Sequence, residues 1–358
     1  MFKIGVIGCG WIAKKVYLPL LNSMDNVCLF AAFDTDERSI TSLKEKYEIP
    51  VICKNFKEFI ELPLDAVIIA TPNYTHSYYA NCSLECGKHV LCEKPVAFSK
   101  SKLQETVSIA NKNKRIFFPA LVNRFRKDVQ YFKEKSCEIG KITDIDVCWI
   151  RKSGIPKLGS WITNEGYSGG GALIDIGTHI IDIGLMFVDN LQVEKVEASF
   201  GVIDNIEKHR SSWNDMKTSI SLPINVETSS AGKIFFKDVI MNYDVSWCSN
   251  VDEDITCIKL YGENGTAVLK TLFGFSKDYI RDTIEISIIK NNTIRDSIFL
   301  SMENTFAQDA FKALLNAFID CTEGKDNSIL KMNDAFYVVD IIEKLYSKQG
   351  EEIYVYSV

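Results

Sequence analysis

The chain opens on an apolar run, residues 3–7, that passes directly into Gly8-Cys9-Gly10-Trp11-Ile12-Ala13. This G-x-G-x-x-A spacing constrains the fold more than any other stretch. Each small residue meets a separate steric demand of a strand-turn-helix that holds a pyrophosphate. Gly8 permits the tight turn out of the strand. Gly10 lacks a Cβ, so backbone can approach the phosphates. Ala13 lets the following helix pack close to the sheet. The phosphates would face the unpaired N–H groups and positive dipole end of that helix. A bare strand-turn-helix satisfies the same pattern, so context decides. The motif requires a second strand ending in an acidic residue about 20 residues on. The run 27–33 ends in Phe33-Asp34, 21 residues past Ala13. A carboxylate there accepts hydrogen bonds from adenosine ribose hydroxyls and repels a 2′-phosphate. That predicts NAD, with NADP as the alternative because Arg38 lies nearby.

Further apolar runs follow at 51–53, 65–70, 89–92 and 116–122, separated by segments of helical spacing such as 39–47 and 101–113. Strands alternating with helices predict parallel βαβ units, here a doubly wound domain over residues 1–122. The runs alternate little in polarity, which fits strands covered on both faces. Beyond 122 the pattern changes, and 123–358 reads as a second domain. Residues 142–150 alternate polar and apolar, which predicts a strand with one solvated face. Residues 153–170 are rich in Gly and Ser and read as a loop. Residues 172–188 read as a helix, 193 to about 300 as mostly strands, and 302–321 and 332–347 as amphipathic helices.

Bulk numbers exclude several classes. A length of 358 residues fits two domains. The net charge is -6 with scattered basic residues, so a nucleic-acid partner is not expected. No uninterrupted apolar stretch of about 18 residues occurs, so a membrane span is not expected. The N-terminus enters a strand pattern at once, unlike a signal peptide. Eleven cysteines contain no C-x-x-C pair, and several sit inside apolar runs. They read as reduced, buried thiols of a cytoplasmic protein, with no metal site.

Polar residues at strand ends carry the chemistry. Ala70-Thr71-Pro72-Asn73 closes the fourth run and His76 follows in the next helix. In open α/β sheets, ligands lie beyond the carboxyl ends of the strands. His76 fits equally a helix residue packed near a turn. Cys92-Glu93-Lys94-Pro95 ends the fifth run, where Lys94 can point into the same crevice and share a proton with a substrate hydroxyl. Pro95 fixes the backbone there and biases Lys94 towards an extended conformation. An ordinary surface Lys-Pro turn is the competing reading.

In the second domain, Ser168-Gly169-Gly170-Gly171 leads to Asp175 and His179. Four residues apart, these two share a helix face. A histidine beside a carboxylate is a candidate general base, and a structural Asp–His pair would look the same. The glycines leave room for a ligand at the helix start, and Asp182 is placed to orient the imidazole. In the preceding loop Trp161 could stack on the apolar face of a sugar. Arg151 or Lys157 could meet a phosphate or carboxylate. A covering or dimer-contact loop is the alternative.

Together these pieces resemble the glucose–fructose oxidoreductase / inositol 2-dehydrogenase / rhizopine-catabolism dehydrogenase (Gfo/Idh/MocA) family. The matching residues are Gly8-Cys9-Gly10-Trp11-Ile12-Ala13, Thr71-Pro72-Asn73 with His76, Glu93-Lys94-Pro95, Asn123-Arg124-Phe125, and Gly170-Gly171 leading to Asp175 and His179. They occur in family order across residues 5–179, and the last third matches only in general pattern. The resemblance implies an α/β protein: an N-terminal Rossmann doubly wound parallel sheet, then an α/β domain with a large, mostly antiparallel open sheet. That sheet commonly forms the dimer interface, which implies a homodimer or homotetramer. It also implies an NAD(P)-dependent enzyme that oxidises or reduces a secondary alcohol on a sugar, cyclitol or related polyol.

Residue by residue, the resemblance assigns the cofactor to Gly8, Gly10, Trp11, Ile12, Ala13, Asp34, Arg38, Thr71, Pro72, Asn73, His76, Glu93, Lys94, Asn123 and Arg124. Lys94 helps position nicotinamide and substrate and joins the proton relay. His179 acts as acid/base on the reacting hydroxyl. Asp175 binds substrate hydroxyls or tunes the relay. Arg124 lies near nicotinamide and substrate. Two alternatives stay open: a member that retains its cofactor and uses it transiently, in glycosidase-type or aldose–aldose chemistry, and a cofactor-binding regulatory protein without catalysis.

Overall fold

Six short strands lie parallel in the order β3-β2-β1-β4-β5-β6. They are β1 (Phe2–Ile7), β2 (Val27–Phe33), β3 (Val51–Cys53), β4 (Ala66–Ile69), β5 (His89–Cys92) and β6 (Phe117–Pro119). The computed structural model describes residues 1–203, 223–276, 283–290, 293–301 and 305–349. All of β4 and the last four residues of β1 are buried, as expected of strands covered on both faces. The order reverses beside β1, so β1 and β4 end side by side, Ile7 against Ile69. The chain then leaves these two strands in opposite lateral directions, which opens a crevice at their carboxyl ends. Crossover helices include Glu37–Tyr47, His76–Glu85 and Lys100–Lys112. The last is capped by the Ser99 hydroxyl, which accepts from the Lys102 amide at 3.3 Å.

This unit comprises Met1–Val122 together with Phe311–Phe336. A single cut after residue 122 assigns the returning segment to the second domain; in the structure it packs with the first. Phe311 meets Tyr17 edge to face at 5.6 Å, and Phe318 lies 5.9 Å from Phe118. The amphipathic pattern showed that this helix has a partner surface, but carries no information about which one.

The second unit runs from Asn123 to Ala310 and again from Tyr337. Its eight-stranded sheet has the order β14-β13-β12-β11-β7-β10-β9-β8. The strands are β7 (Ile142–Ile150), β8 (Val193–Gly201), β9 (Ser229–Phe236), β10 (Ile240–Ser246), β11 (Ile255–Gly262), β12 (Gly265–Thr271), β13 (Thr283–Lys290) and β14 (Thr293–Ser301). The β7–β10 pair is parallel and the other described pairs are antiparallel. The expected alternation on β7 is present: Ile145, Val147 and Trp149 are buried, while Asp144, Asp146 and Cys148 are not. The buried side packs on the helical segment from Leu173 to Leu185, through Ile176, Ile180, Ile181 and Ile183. A helix over Lys127–Ser136, which the spacing did not announce, covers β12 and β13. The stretch 153–170 is more ordered than a loop: it holds a 3-10 turn, Trp161–Thr163, and one helical turn, Glu165–Ser168.

Polar residues order the opposite face. Asp146 accepts from the Asn242 amide and from the Tyr261 hydroxyl, each at 2.8 Å. All eleven cysteines are free thiols, with Cys9, Cys53, Cys92 and Cys248 buried.

Candidate functional site

The turn after β1 is built as its glycines require. Gly8 has φ +88° and donates its N–H to the Phe33 carbonyl at 2.9 Å. A Cβ at Gly8 would lie 2.6 Å from the Ala70 carbonyl oxygen and 2.8 Å from Thr71 Cγ2. The glycine turn and the Thr71 turn are therefore in van der Waals contact, and a side chain would part them. Gly10 is the opposite case: a Cβ there meets nothing within 4 Å. That open space lies beside the start of a helix whose first N–H groups have no intrahelical acceptor. Ala13 is fully buried and begins a wide five-residue turn, Ala13–Tyr17, that continues as Leu18–Asn22. Trp11 and Ile12 lie at its entry. A dinucleotide pyrophosphate fits this cradle in space and in charge.

Asp34 is tied to the same turn. Its Oδ2 accepts from the Cys9 N–H at 2.7 Å and its Oδ1 from the Asp36 N–H at 2.9 Å. The carboxylate thus holds the glycine turn against the end of β2 and stays partly exposed. Arg38 is the second residue of the following helix, and its side chain lies outside the described residues.

His76 is fully buried, with Nδ1 2.8 Å from the Pro95 carbonyl and Nε2 2.8 Å from the Thr71 carbonyl. It clamps the turn after β4 to the turn after β5. Burial lowers its pKa, the two carbonyls oppose that, and the charge of Lys94 adds to the lowering. Its ring nitrogens are thus occupied by backbone, so here it supports the Thr71-Pro72-Asn73 turn. Thr75 reinforces that turn, its hydroxyl lying 2.7 Å from both Thr71 Oγ1 and the Pro72 carbonyl.

Glu93 behaves similarly. Its Oε1 accepts from the Tyr17 hydroxyl at 2.6 Å, and its Oε2 from the Lys94 N–H at 3.1 Å. Burial pushes its carboxyl up, against the lowering effects of Tyr17 and Lys94. Lys94 is half-buried, and its peptide bond to Pro95 is cis.

In the second unit, Asp175 sits on a wide turn, Leu173–Gly177, that runs directly into the helix Thr178–Leu185 bearing His179. The indole N–H of Trp247 donates to Asp175 Oδ2 at 2.9 Å. The His179 ring lies 6.0 Å from Trp149, and the Arg151 guanidinium lies over Trp149 at 4.8 Å. Burial lowers the Arg151 pKa, while the charges of Asp175 and Asp254 oppose this. Asp175, His179, Trp149, Arg151 and Trp247 therefore form one cluster of acid, base, cation and indole donors. Trp161 is half-buried in its 3-10 turn.

One expectation changes. The glycines before this helix do not leave room for a ligand. A Cβ on Gly170 would overlap the Tyr346 hydroxyl, and one on Gly171 the Glu227 carbonyl. The space is filled by protein. Asp182, expected to orient His179, also has its carboxylate on Arg124: Nε to Oδ1 is 2.9 Å and Nη2 to Oδ1 is 2.8 Å. Asn123 and Arg124 are both buried, so the Arg124 charge is balanced inside the unit. Glu227, Tyr346 and Trp247 had no sequence signal, because each reaches the helix from a distant strand, loop or helix.

Comparison with known proteins gives a consistent picture. Residues 2–121 match the model of an oxidoreductase family with an NAD-binding Rossmann fold. Residues 135–268 match the model of the C-terminal domain of the same family. The chain is 25% identical over 350 residues to a D-glucoside 3-dehydrogenase of Escherichia coli, covering 96% of this chain and 94% of that one. Its fold is shared with a levoglucosan dehydrogenase solved with NADH and levoglucosan, at TM-score 0.78 and 18% identity over 98% of this chain and 97% of the other. A 3-ketoreductase from Actinomadura kijaniata, solved with NADP and TDP-benzene, matches at TM-score 0.77 and 17% identity over 97% of each chain.

Proposed function

Because this chain belongs to the Gfo/Idh/MocA family of NAD(P)-binding oxidoreductases, we propose that it interconverts a secondary alcohol and ketone on a sugar, cyclitol or sugar derivative. The observation that carries this reading is the helix that presents Asp175 and His179 one turn apart, with Asp175 held by Trp247. Relatives named for glucosides and structures solved with levoglucosan support the sugar class. The nicotinamide, when bound, supplies the hydride acceptor or donor.

The chain's residues supply the rest. Gly8, Gly10, Trp11, Ile12, Ala13, Asp34, Arg38, Thr71, Pro72, Asn73, Glu93, Asn123 and Arg124 form the dinucleotide site, with His76 bracing it. Asp34 favours NAD over NADP, since its carboxylate repels a 2′-phosphate. His179 takes the proton of the reacting hydroxyl in oxidation and returns it in reduction. Lys94 orients the substrate and stabilises the developing alkoxide. Asp175 binds neighbouring hydroxyls and tunes the relay, with Arg151 and Trp161 as further substrate contacts. The exposed face of the large sheet, which carries Ile240 and Ile255, is the surface for self-association, and the free thiols fit a cytoplasmic enzyme.

The test is a screen of NAD and NADP reduction over inositols, aldoses, glucosides, amino sugars and sugar nucleotides. On the best substrate, His179→Ala is expected to lose about 10²–10⁴-fold in kcat. Full turnover by that variant overturns the assignment.

A further inference from the structure

Glu227 is a fully buried carboxylate that the proton relay above does not use. It is 2% exposed and sits just before β9. Its Oε2 accepts from the Gly171 N–H at 2.9 Å, and its Oε1 from the Leu173 N–H at 2.9 Å and the Tyr346 hydroxyl at 2.8 Å. Its own carbonyl accepts from the Ala172 N–H at 3.1 Å. Three successive amides at the start of the helical segment thus end on one residue. A carboxylate at a helix N-terminus satisfies orphan donors and balances the positive dipole end.

The surroundings are cut to fit this residue. Gly170 and Gly171 bear no side chain where Tyr346 and the Glu227 backbone approach. Tyr346 also accepts from the Ile174 N–H at 3.2 Å. Its ring stacks on Phe200 at 5.6 Å, which locks it in place. From Glu227, the segment runs through Asp175 to His179 within two turns.

We propose that Glu227 is a positioning residue for the oxidoreductase reaction, fixing through Gly171, Leu173 and Tyr346 the helix that presents Asp175 and His179. It touches no reacting atom. Its effect is to hold the acid–base pair, and small displacements of such groups lower rate steeply. The inference rests on the reading of His179 as the acid/base.

The test uses the full chain with NAD and the best substrate of the polyol screen. Glu227→Gln is expected to lower kcat about 10-fold while leaving the NAD Kd within about twofold. Tyr346→Phe, which keeps the carboxylate, is expected to lower kcat by less. The Glu227→Gln loss should vanish in a His179→Ala background, because both act through one imidazole. The His179 Cε1–H NMR signal, read with NAD alone, should also move in Glu227→Gln. An equal proportional loss in the His179→Ala background, or an unmoved His179 signal, overturns the proposal. Full turnover by His179→Ala alone instead overturns the acid/base reading, and the NMR signal still tests Glu227.

Discussion

The Tyr17 hydroxyl donates to Glu93 at 2.6 Å, joining the helix that follows the glycine turn to the strand end that carries Lys94. Tyr17 is fully buried and Glu93 has its carboxyl pushed up by burial. Tyr17→Phe removes the donor and leaves a buried carboxylate short of one partner. We expect a loss of about 1–3 kcal/mol in urea denaturation. The loss should be larger at pH 8 than at pH 5, since the ionised carboxylate needs the donor more. A stability unchanged at both pH values contradicts this.

Gly8 and Gly10 are expected to fail differently. Gly8→Ala places a Cβ 2.6 Å from the Ala70 carbonyl oxygen at a φ of +88°. Strain and backbone displacement should cost about 2–4 kcal/mol of stability. Gly10→Ala enters open space and should leave stability within ~0.5 kcal/mol. It occupies the cradle, however, and should weaken NAD binding about 10-fold or more, seen by calorimetry. A Gly10→Ala protein with native NAD affinity would remove the cradle from the cofactor site.

Asp34→Asn keeps the side-chain shape and removes the charge. With the Cys9 N–H contact in place at 2.7 Å, the glycine turn retains an acceptor. The ratio of kcat/KM for NADP to that for NAD should rise about 10-fold or more, because like-charge juxtaposition costs several kcal/mol. A ratio that does not change assigns cofactor choice elsewhere.

Glu227 makes stability depend on pH in a defined direction. Burial pushes its carboxyl from 4.5 to about 7. Between those values the unfolded chain releases the proton and the folded chain keeps it. Stability from this group therefore falls as pH rises from about 4.5 to about 7, and is flat outside that window. The groups facing it are the Tyr346 hydroxyl, the Gly171 and Leu173 amides and, through its charge, Tyr243. Relative to the native protein, Glu227→Gln should gain on the order of 3 kcal/mol between pH 4.5 and pH 8. Denaturation curves at the two ends check it, and a constant difference sinks it.

Local chemistry was legible in the sequence because it is carried by consecutive residues. The Gly8–Ala13 spacing, Asp34 at the end of β2 and Lys94 at the end of β5 all stand where the apolar runs put them. The period-2 pattern of β7 and the joint helix of Asp175 and His179 were equally local. The tertiary structure decided what each charged side chain meets. Arg124, which the family resemblance puts near the ligand, is paired with Asp182, 58 residues away, a partner the local pattern does not name. The triple glycine reads as space for a ligand and is filled by Tyr346 and Glu227. The helix reaching Phe311 and Phe318 returns to the parallel sheet. Sequence periodicity reports that a face is apolar or that a helix needs a cap. Which distant group satisfies it depends on chain packing, where a contact spanning 172 residues, such as Ile174 with Tyr346, leaves no trace in local pattern.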